Sequence, residues 1–322
     1  MFRRTITPGL TLLSMLFLGG AATAQQPTQL RLASFGPPTS FFLVEVVLPW
    51  AERVSRDSPG TIEIRHFGGG VIANAGTTNT GAIDPLPELK TFCRGEGLWL
   101  HADGAYGAAA IFCERGRALL QGINEVDSLS LDPHKWLFQP YEIGCLLVRE
   151  AHRLKEAFHV LPEYLKDAEG AAEEINFCDY GIQLTRSFRA LKLWMSLQVF
   201  GRVGFEAAVR RGFELADLTE KIVGGMAGWE VVTPAQMGVV TFRCVPEDIP
   251  PEAVDTLNRT LVNAVVRDDF SMIVSTELHD RPVLRMCTIN PRTTEKDIRS
   301  TLERLDQMRQ HLTSSQAHLS VR

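Results

Sequence analysis

WLHADGAYGAAA, residues 99–110, and DSLSLDPHKWLFQP, residues 127–140, are the two stretches on which the fold turns. Leu98 to Ala102 and Ser128 to Leu131 have the length and composition of short strands, and each runs into a turn bearing glycine or proline. Asp103 closes the first strand, and Lys135 lies in the turn after the second, 32 residues on. That separation accommodates a strand, a helix and the next parallel strand, because parallel neighbours need a crossover of a dozen or more residues. Arg115 to Gln121 supplies a helix in the interval. The pattern predicts an open α/β sheet that carries a carboxylate, expected to be buried, and an amine at the carboxyl ends of neighbouring strands.

The flanking sequence extends this sheet in both directions. Val71 to Asn74 reads as a strand entering AGTTNTGAID, residues 75–84, Leu86 to Arg94 as a helix, and Ile143 to Arg149 as a further strand. Leu154 to Leu184 is a long connection with few periodic signals, the kind of loop that is usually functional. Phe188 to Phe200 and Phe205 to Met226 have helical spacing. Beyond them come strands at Trp229 to Val232 and Val239 to Cys244, a helix at Pro251 to Arg267, strands at Ser271 to Thr276 and Val283 to Ile289, and a last helix from Lys296 to Leu312. Thr294 and Asp297 form a capping pattern ahead of that helix. Ile298, Leu302, Leu305, Met308 and Leu312 then make one apolar stripe, which is core. This half predicts a smaller antiparallel sheet covered by helices.

Three segments in order, AGTTNTGAID, HADGAYG and DPHKW, resemble the group II amino acid decarboxylases that use pyridoxal 5'-phosphate, among them the aromatic-L-amino-acid and histidine enzymes. The resemblance runs from about Val71 to Leu312. It implies a fold-type I architecture: a partial large domain over residues 71–200 and a small α+β domain over 201–322. It also implies decarboxylation of an L-amino acid, with an aromatic substrate favoured by Trp136 after the lysine, and a homodimer. Lys135 would form the Schiff base with the cofactor aldehyde, and Asp103 would keep the pyridine nitrogen protonated so that the ring accepts electrons. Ala105 matches the small residue lying against the ring. His134 matches a position that helps hold the phosphate, with a strand-end histidine bonded to backbone as the alternative. Asp132 stands where many relatives have asparagine, and a carboxylate there would repel phosphate. Asn74 stands where relatives have a threonine near the ring hydroxyl or the substrate carboxylate. Thr77 and Thr78 are either hydroxyl donors or turn residues. Tyr164, in LPEYLKD of the long connection, matches the tyrosine that returns a proton to carbon after CO2 leaves; a phenylalanine there goes with oxidative deamination to an aldehyde. Arg186 and Arg189 match two basic residues in structural ion pairs or dimer contacts.

The first seventy residues read differently. Arg3 and Arg4, the apolar Leu10 to Leu18, and Ala22-Thr23-Ala24 have the order of a secretory leader ending at residue 24. Leu30 to Ser34, Phe41 to Arg56 and Thr61 to His66 then spell a β-α-β unit, over residues 25–70, that resembles the start of the periplasmic solute-binding proteins of TRAP transporters. The decarboxylases have more sequence ahead of the position of Val71, including the loop that holds the phosphate, a histidine stacked on the ring and part of the sheet. The resemblance therefore implies a chain whose own activity is weak or absent. The alternatives are a non-catalytic fusion fragment or a solute-binding-protein remnant.

Composition excludes some classes. The formal charge of −5 argues against a general nucleic-acid surface, and after the leader no run is long and apolar enough to span a membrane. The six cysteines form no CxxC pair and no zinc spacing, so no metal site is expected. They sit mostly in apolar stretches, as buried free thiols do in a reducing compartment, whereas the leader points to export.

Overall fold

A computed structural model describes residues 28–33, 42–59, 61–67, 70–158 and 175–319. The leader segment and Tyr164 lie outside the described residues. The chain divides into two compact units at Gly68–Gly69.

The first unit is a β-α-β element. Strand β1, Thr28–Ala33, pairs in parallel with β2, Ile62–Phe67, and helix α1, Leu48–Asp57, connects them. Helix α1 follows a π-turn over Phe42–Val47 and carries a proline in its first turn, where the missing N–H costs nothing.

The second unit holds two sheets. In the first, β3 (Gly70–Asn74), β4 (Trp99–Asp103) and β5 (Ser128–Leu131) run parallel in that spatial order. β6 (Cys145–Val148) joins β5 antiparallel at the edge. Helix α2, Leu86–Glu96, makes the crossover from β3 to β4 and stops at Gly97 in the left-handed conformation. Between β4 and β5 the chain makes a 3₁₀ turn, Gly107–Phe112, then the short helix α3, Glu114–Leu119. The long connection is not wholly irregular, as its weak periodicity had suggested. Helix α4, His152–Phe158, opens it, a short helix of seven residues with no buried residue to mark it.

Helix α5, Ala190–Gly224, is broken at Gly201, whose φ of 64° and ψ of 173° belong to glycine alone. The two helical stretches read from the sequence are the two sides of this break. The second sheet is antiparallel throughout, in the order β7 (Trp229–Gln236), β8 (Val239–Cys244), β10 (Arg281–Cys287), β9 (Val274–Leu278). Helices α6, Pro251–Asp268, and α7, Glu295–Leu319, pack on it. The Thr294–Asp297 cap forms as expected, with the Asp297 amide donating to the Thr294 hydroxyl at 3.2 Å and the Thr294 amide to the Asp297 carboxylate at 2.8 Å.

Two hydrophobic cores result, and α5 contributes to both. Val209 and Phe213 belong to the core of the first sheet with Leu100, Ala102 and Trp136. Leu215, Ala216 and Val223 belong to the core of the second with Phe242, Leu261 and Leu302. All six cysteines are free thiols, but only Cys93, Cys113 and Cys244 are buried; Cys287 is exposed on the last residue of β10. Among the described residues no helix is long and apolar enough to cross a membrane.

Candidate active site

The parallel register sets the site. Asn74 of β3 lies opposite Asp103 of β4, which lies opposite Ser130 of β5. All three thus end at one edge of the sheet. The turn after β5 is closed by the Lys135 amide donating to the Asp132 carbonyl at 2.9 Å. The Asp132 amide in turn donates to the Ala105 carbonyl at 3.1 Å. The Lys135 turn is therefore tied to the turn that follows Asp103.

Asp103 is exposed, not buried as expected. It is the last residue of β4 and its side chain lies on the rim, where Ala102 before it takes the buried position. Its Oδ1 accepts from the Ala105 amide at 3.1 Å and from the Ser130 hydroxyl at 3.2 Å. His101, two residues back on the same strand, has its Nδ1 2.8 Å from the Ser128 hydroxyl. Burial pushes the His101 imidazole below the usual histidine value, against the opposite pull of the Asp103 carboxylate.

Lys135 is about one-third exposed, and its Nζ lies 2.9 Å from Asp132 Oδ2. His134 Nε2 is 3.9 Å from the same oxygen, while its Nδ1 sits 2.6 Å from the Ile143 carbonyl and 3.2 Å from the Ile143 amide. His134 is thus held by backbone on one side and faces a carboxylate on the other. Ala105 is half-buried between Asp103 and Tyr106. Gly107 beside them cannot be replaced, since a β-carbon there would overlap the Ala75 carbonyl.

Asn74 and Thr77 are occupied locally. The Asn74 backbone and side-chain amides both donate to Asp84 Oδ2, at 2.7 and 3.0 Å. The Thr77 hydroxyl lies 3.0 Å from that of Thr80 and accepts from the Ala82 amide at 3.1 Å. Thr77 closes the 77–82 turn. Thr78 contributes its carbonyl, which accepts from Arg285 Nε at 2.6 Å. Arg189 pairs with Glu142 at 2.6 Å, and Arg186 donates to the Phe177 carbonyl at 3.0 Å.

Sequence reasoning missed four residues. Ser130 and Asp84, which steady Asp103 and Asn74, were within the quoted segments, and the strand register points to Ser130. Tyr106 is buried inside HADGAYG, where an aromatic signals only core. Arg285 carries no local signal, because its partner Thr78 is 207 residues away.

The residues present suit the ring end of pyridoxal phosphate: an accessible amine and an accessible, hydrogen-bonded carboxylate at adjacent parallel strand ends, with small residues between them. Among the described residues no cluster of histidine, cysteine and carboxylate groups would hold a metal ion.

The sequence model of the pyridoxal-dependent decarboxylase conserved domain matches residues 62–245, more than half of the chain, and it starts nine residues before Val71, inside the segment that resembled a solute-binding protein, a resemblance that no comparison supports. An aromatic-L-amino-acid decarboxylase of Bacillus atrophaeus is 48% identical over 247 residues, covering 76% of this chain and 52% of that protein. A phenylacetaldehyde synthase of Arabidopsis thaliana is 33% identical over 249 residues, 77% of this chain and 50% of that one. The chain thus spans about half the length of the curated relatives it matches. A crystal structure of Oryza sativa TDC with PLP and tryptamine superimposes with a TM-score of 0.71 at 26% identity, over 92% of this chain and 65% of that one. The fold is that of the fold-type I decarboxylases, the cofactor of the family is pyridoxal 5'-phosphate, and this chain belongs to the pyridoxal-dependent decarboxylase family.

Proposed function

We propose that the chain carries the ring-binding part of a pyridoxal-phosphate-dependent L-amino acid decarboxylase site, with an aromatic amino acid as substrate. The observation that carries this reading is the placement of Asp103 and Lys135 at the carboxyl ends of β4 and of the neighbouring parallel strand β5. The family match and the names of the relatives support the same chemistry.

Bound pyridoxal phosphate supplies an electron sink for the carbanion left when CO2 departs. The rest falls to the chain. Lys135 Nζ would be the amine that holds the cofactor through its aldehyde, and it would first have to leave Asp132 Oδ2. Asp103, with Oδ1 held by Ser130 and Ala105, would present a fixed carboxylate to the pyridine N–H. Ala105 leaves room for the ring. Asn74, oriented by Asp84, offers an amide on the adjoining strand end. Thr77 acts by keeping the 77–82 turn closed. His134 Nε2, 3.9 Å from Asp132 Oδ2, would be the ring nitrogen left to meet a phosphate, since Nδ1 is taken by the Ile143 backbone. Tyr164 would supply the proton that separates amine from aldehyde products, a role carried by the family resemblance alone.

A homodimer is part of the proposal. Ile182, Phe188, Trp194, Val199 and Val203 are exposed apolar side chains along α5 and the segment before it, and an apolar surface of this kind is usually covered. Sedimentation velocity of the purified chain checks this, with a monomer at all concentrations counting against it.

The deciding experiment is the absorption spectrum of residues 25–322 after addition of pyridoxal phosphate and desalting, beside Lys135→Ala. A retained visible band in the parent and none in the variant is expected. CO2 release from a panel of L-amino acids then names the substrate, and Tyr164→Phe is expected to shift product from amine to aldehyde. A folded parent that retains no band sinks the proposal.

A second reading, a family member that keeps the fold without catalysis, is favoured by one observation. Lys135 Nζ lies 2.9 Å from Asp132 Oδ2, so the amine is already engaged by a neighbouring carboxylate.

A further inference from the structure

The tip of the β7–β8 hairpin has an unusual backbone. Gln236 pairs with Val239, so Met237 and Gly238 are a two-residue turn, with φ of 52° and 71°. Two positive φ angles define the type I′ turn, whose first position is normally asparagine, aspartate or glycine. Here it is a methionine, fully buried. A bulky residue held in the left-handed region persists only where its surroundings demand it, and such outliers gather at functional sites.

The surroundings are the strand-end loops of the first sheet. The Tyr106 hydroxyl donates to the Met237 carbonyl at 2.7 Å, and the Tyr106 ring stacks on Trp136 with centroids 5.5 Å apart and 18° between planes. Tyr106 follows Asp103 by three residues, and Trp136 follows Lys135 directly. Both aromatic rings are buried. The Thr288 amide donates to the Gly238 carbonyl at 2.9 Å, so the tip is itself anchored to the end of β10. Arg285 of β10 reaches the Thr78 carbonyl in the third loop.

We propose that Tyr106 is a positioning residue for the Asp103–Lys135 pair, fixing the two strand-end turns to the hairpin tip through its hydroxyl on Met237 and its ring on Trp136, with Arg285 holding the 77–82 turn in the same way. This rests on the pyridoxal phosphate reading for its catalytic meaning, though not for its geometry. The ring alone would fill the core; the hydroxyl, placed on a strained turn, sets how far the Lys135 turn stands from the sheet edge.

Hydrogen–deuterium exchange of the full chain, parent against Tyr106→Phe and Arg285→Lys, tests the geometry. Tyr106→Phe keeps the stacked ring and removes only the hydroxyl, with its bond to the Met237 carbonyl and its weaker 3.5 Å contact with Cys287 Sγ at the end of β10. Exchange at residues 130–137 is expected to rise about tenfold, the effect of one lost buried hydrogen bond, with β9 and β10 as protected as in the parent. Arg285→Lys, which keeps a donor, is expected to leave residues 76–82 close to parental protection, and Arg285→Met to loosen them. Unchanged exchange at 130–137 in Tyr106→Phe, or a rise shared equally by β9 and β10, overturns the proposal.

The second readout is the pH midpoint of the visible band after pyridoxal phosphate is added. A purely structural role leaves that midpoint where it is; the positioning role moves it, because the Lys135 nitrogen shifts relative to Asp103. A band present in both proteins with the same midpoint overturns the proposal. A parent with no band removes the cofactor reading, and the exchange comparison then decides the role of Tyr106 by itself.

Discussion

At the residue scale, Asp132 is the side chain that most affects what Lys135 can do. Its carboxylate lies 2.9 Å from Nζ and 3.9 Å from His134 Nε2, so on the proposed reading it would compete with a cofactor for both groups. Partly exposed ion pairs of this kind contribute up to about 1 kcal/mol, which corresponds to roughly a fivefold equilibrium effect. Asp132→Asn is therefore expected to leave the urea midpoint nearly unchanged while raising retained pyridoxal phosphate absorbance up to about fivefold. A drop in retention would show that the carboxylate helps. Asp103 and Lys135 were legible as strand-end groups because alternation, glycine and proline mark where strands stop. The exposure of Asp103 was not legible, since the rim of a sheet is defined by what packs over it.

At the element scale, α5 and α7 each hang on a few residues. Gly201 interrupts α5 with a conformation open to glycine alone. Gly201→Ala is expected to cost about 1–3 kcal/mol in chemical denaturation, although nothing crowds the position sterically. A neutral result would mean that α5 can straighten. Asp306 fastens α7 to the second sheet. It accepts from the Trp229 indole at 2.9 Å, from Arg309 at 2.7 Å and from Gln310 at 2.8 Å. Burial pushes its carboxyl up, but the bonds from Arg309, Trp229 and Gln310 outweigh that and hold it below the usual aspartate value. The depressed value in the folded state means that the contribution is complete above the unfolded value of about 3.9. It is lost as pH falls through the folded value. Urea midpoints measured between about pH 5 and pH 2 are expected to fall less steeply in Asp306→Asn than in the parent. Identical slopes would remove Asp306 from the account. The helices themselves were readable from apolar spacing. Helix α4 was not, because a short exposed helix with no buried residue has no apolar stripe to reveal it.

At the scale of the second unit, Trp136 joins what the chain separates. It stacks on Tyr106, packs on Phe213 of α5 with ring centroids 5.3 Å apart, and lies against Gly212 and the Gly238 turn. Its indole N–H is buried with no acceptor among the described residues. Arg115 of α3 adds a two-pronged bond to Asp217 of α5, at 2.6 and 3.1 Å, and lies over the Phe213 ring at 4.8 Å. Because one helix lines both cores, loss of Trp136 is felt by both sheets. Trp136→Ala is expected to cost about 3–5 kcal/mol, with fluorescence and far-ultraviolet circular dichroism still reporting one coincident transition. Two separated transitions would show that the cores fold independently. None of this was visible in the DPHKW segment, where the tryptophan served only as a hint about substrate.

The sequence by itself determined the class of fold, the order of the strands along the chain, the family and the two groups at the strand ends. These are local properties: apolar period, turn chemistry and short segments of fixed order. Only the tertiary structure decided that Asp103 stands on an open rim, that Lys135 is paired with Asp132, and that Tyr106, Met237 and Arg285 bind the carboxy-terminal sheet to the site. The last of these depends on contacts 131 and 207 positions apart, which no local pattern encodes; the first two depend on how the strand-end turns are packed and turned, which the residue types alone leave open.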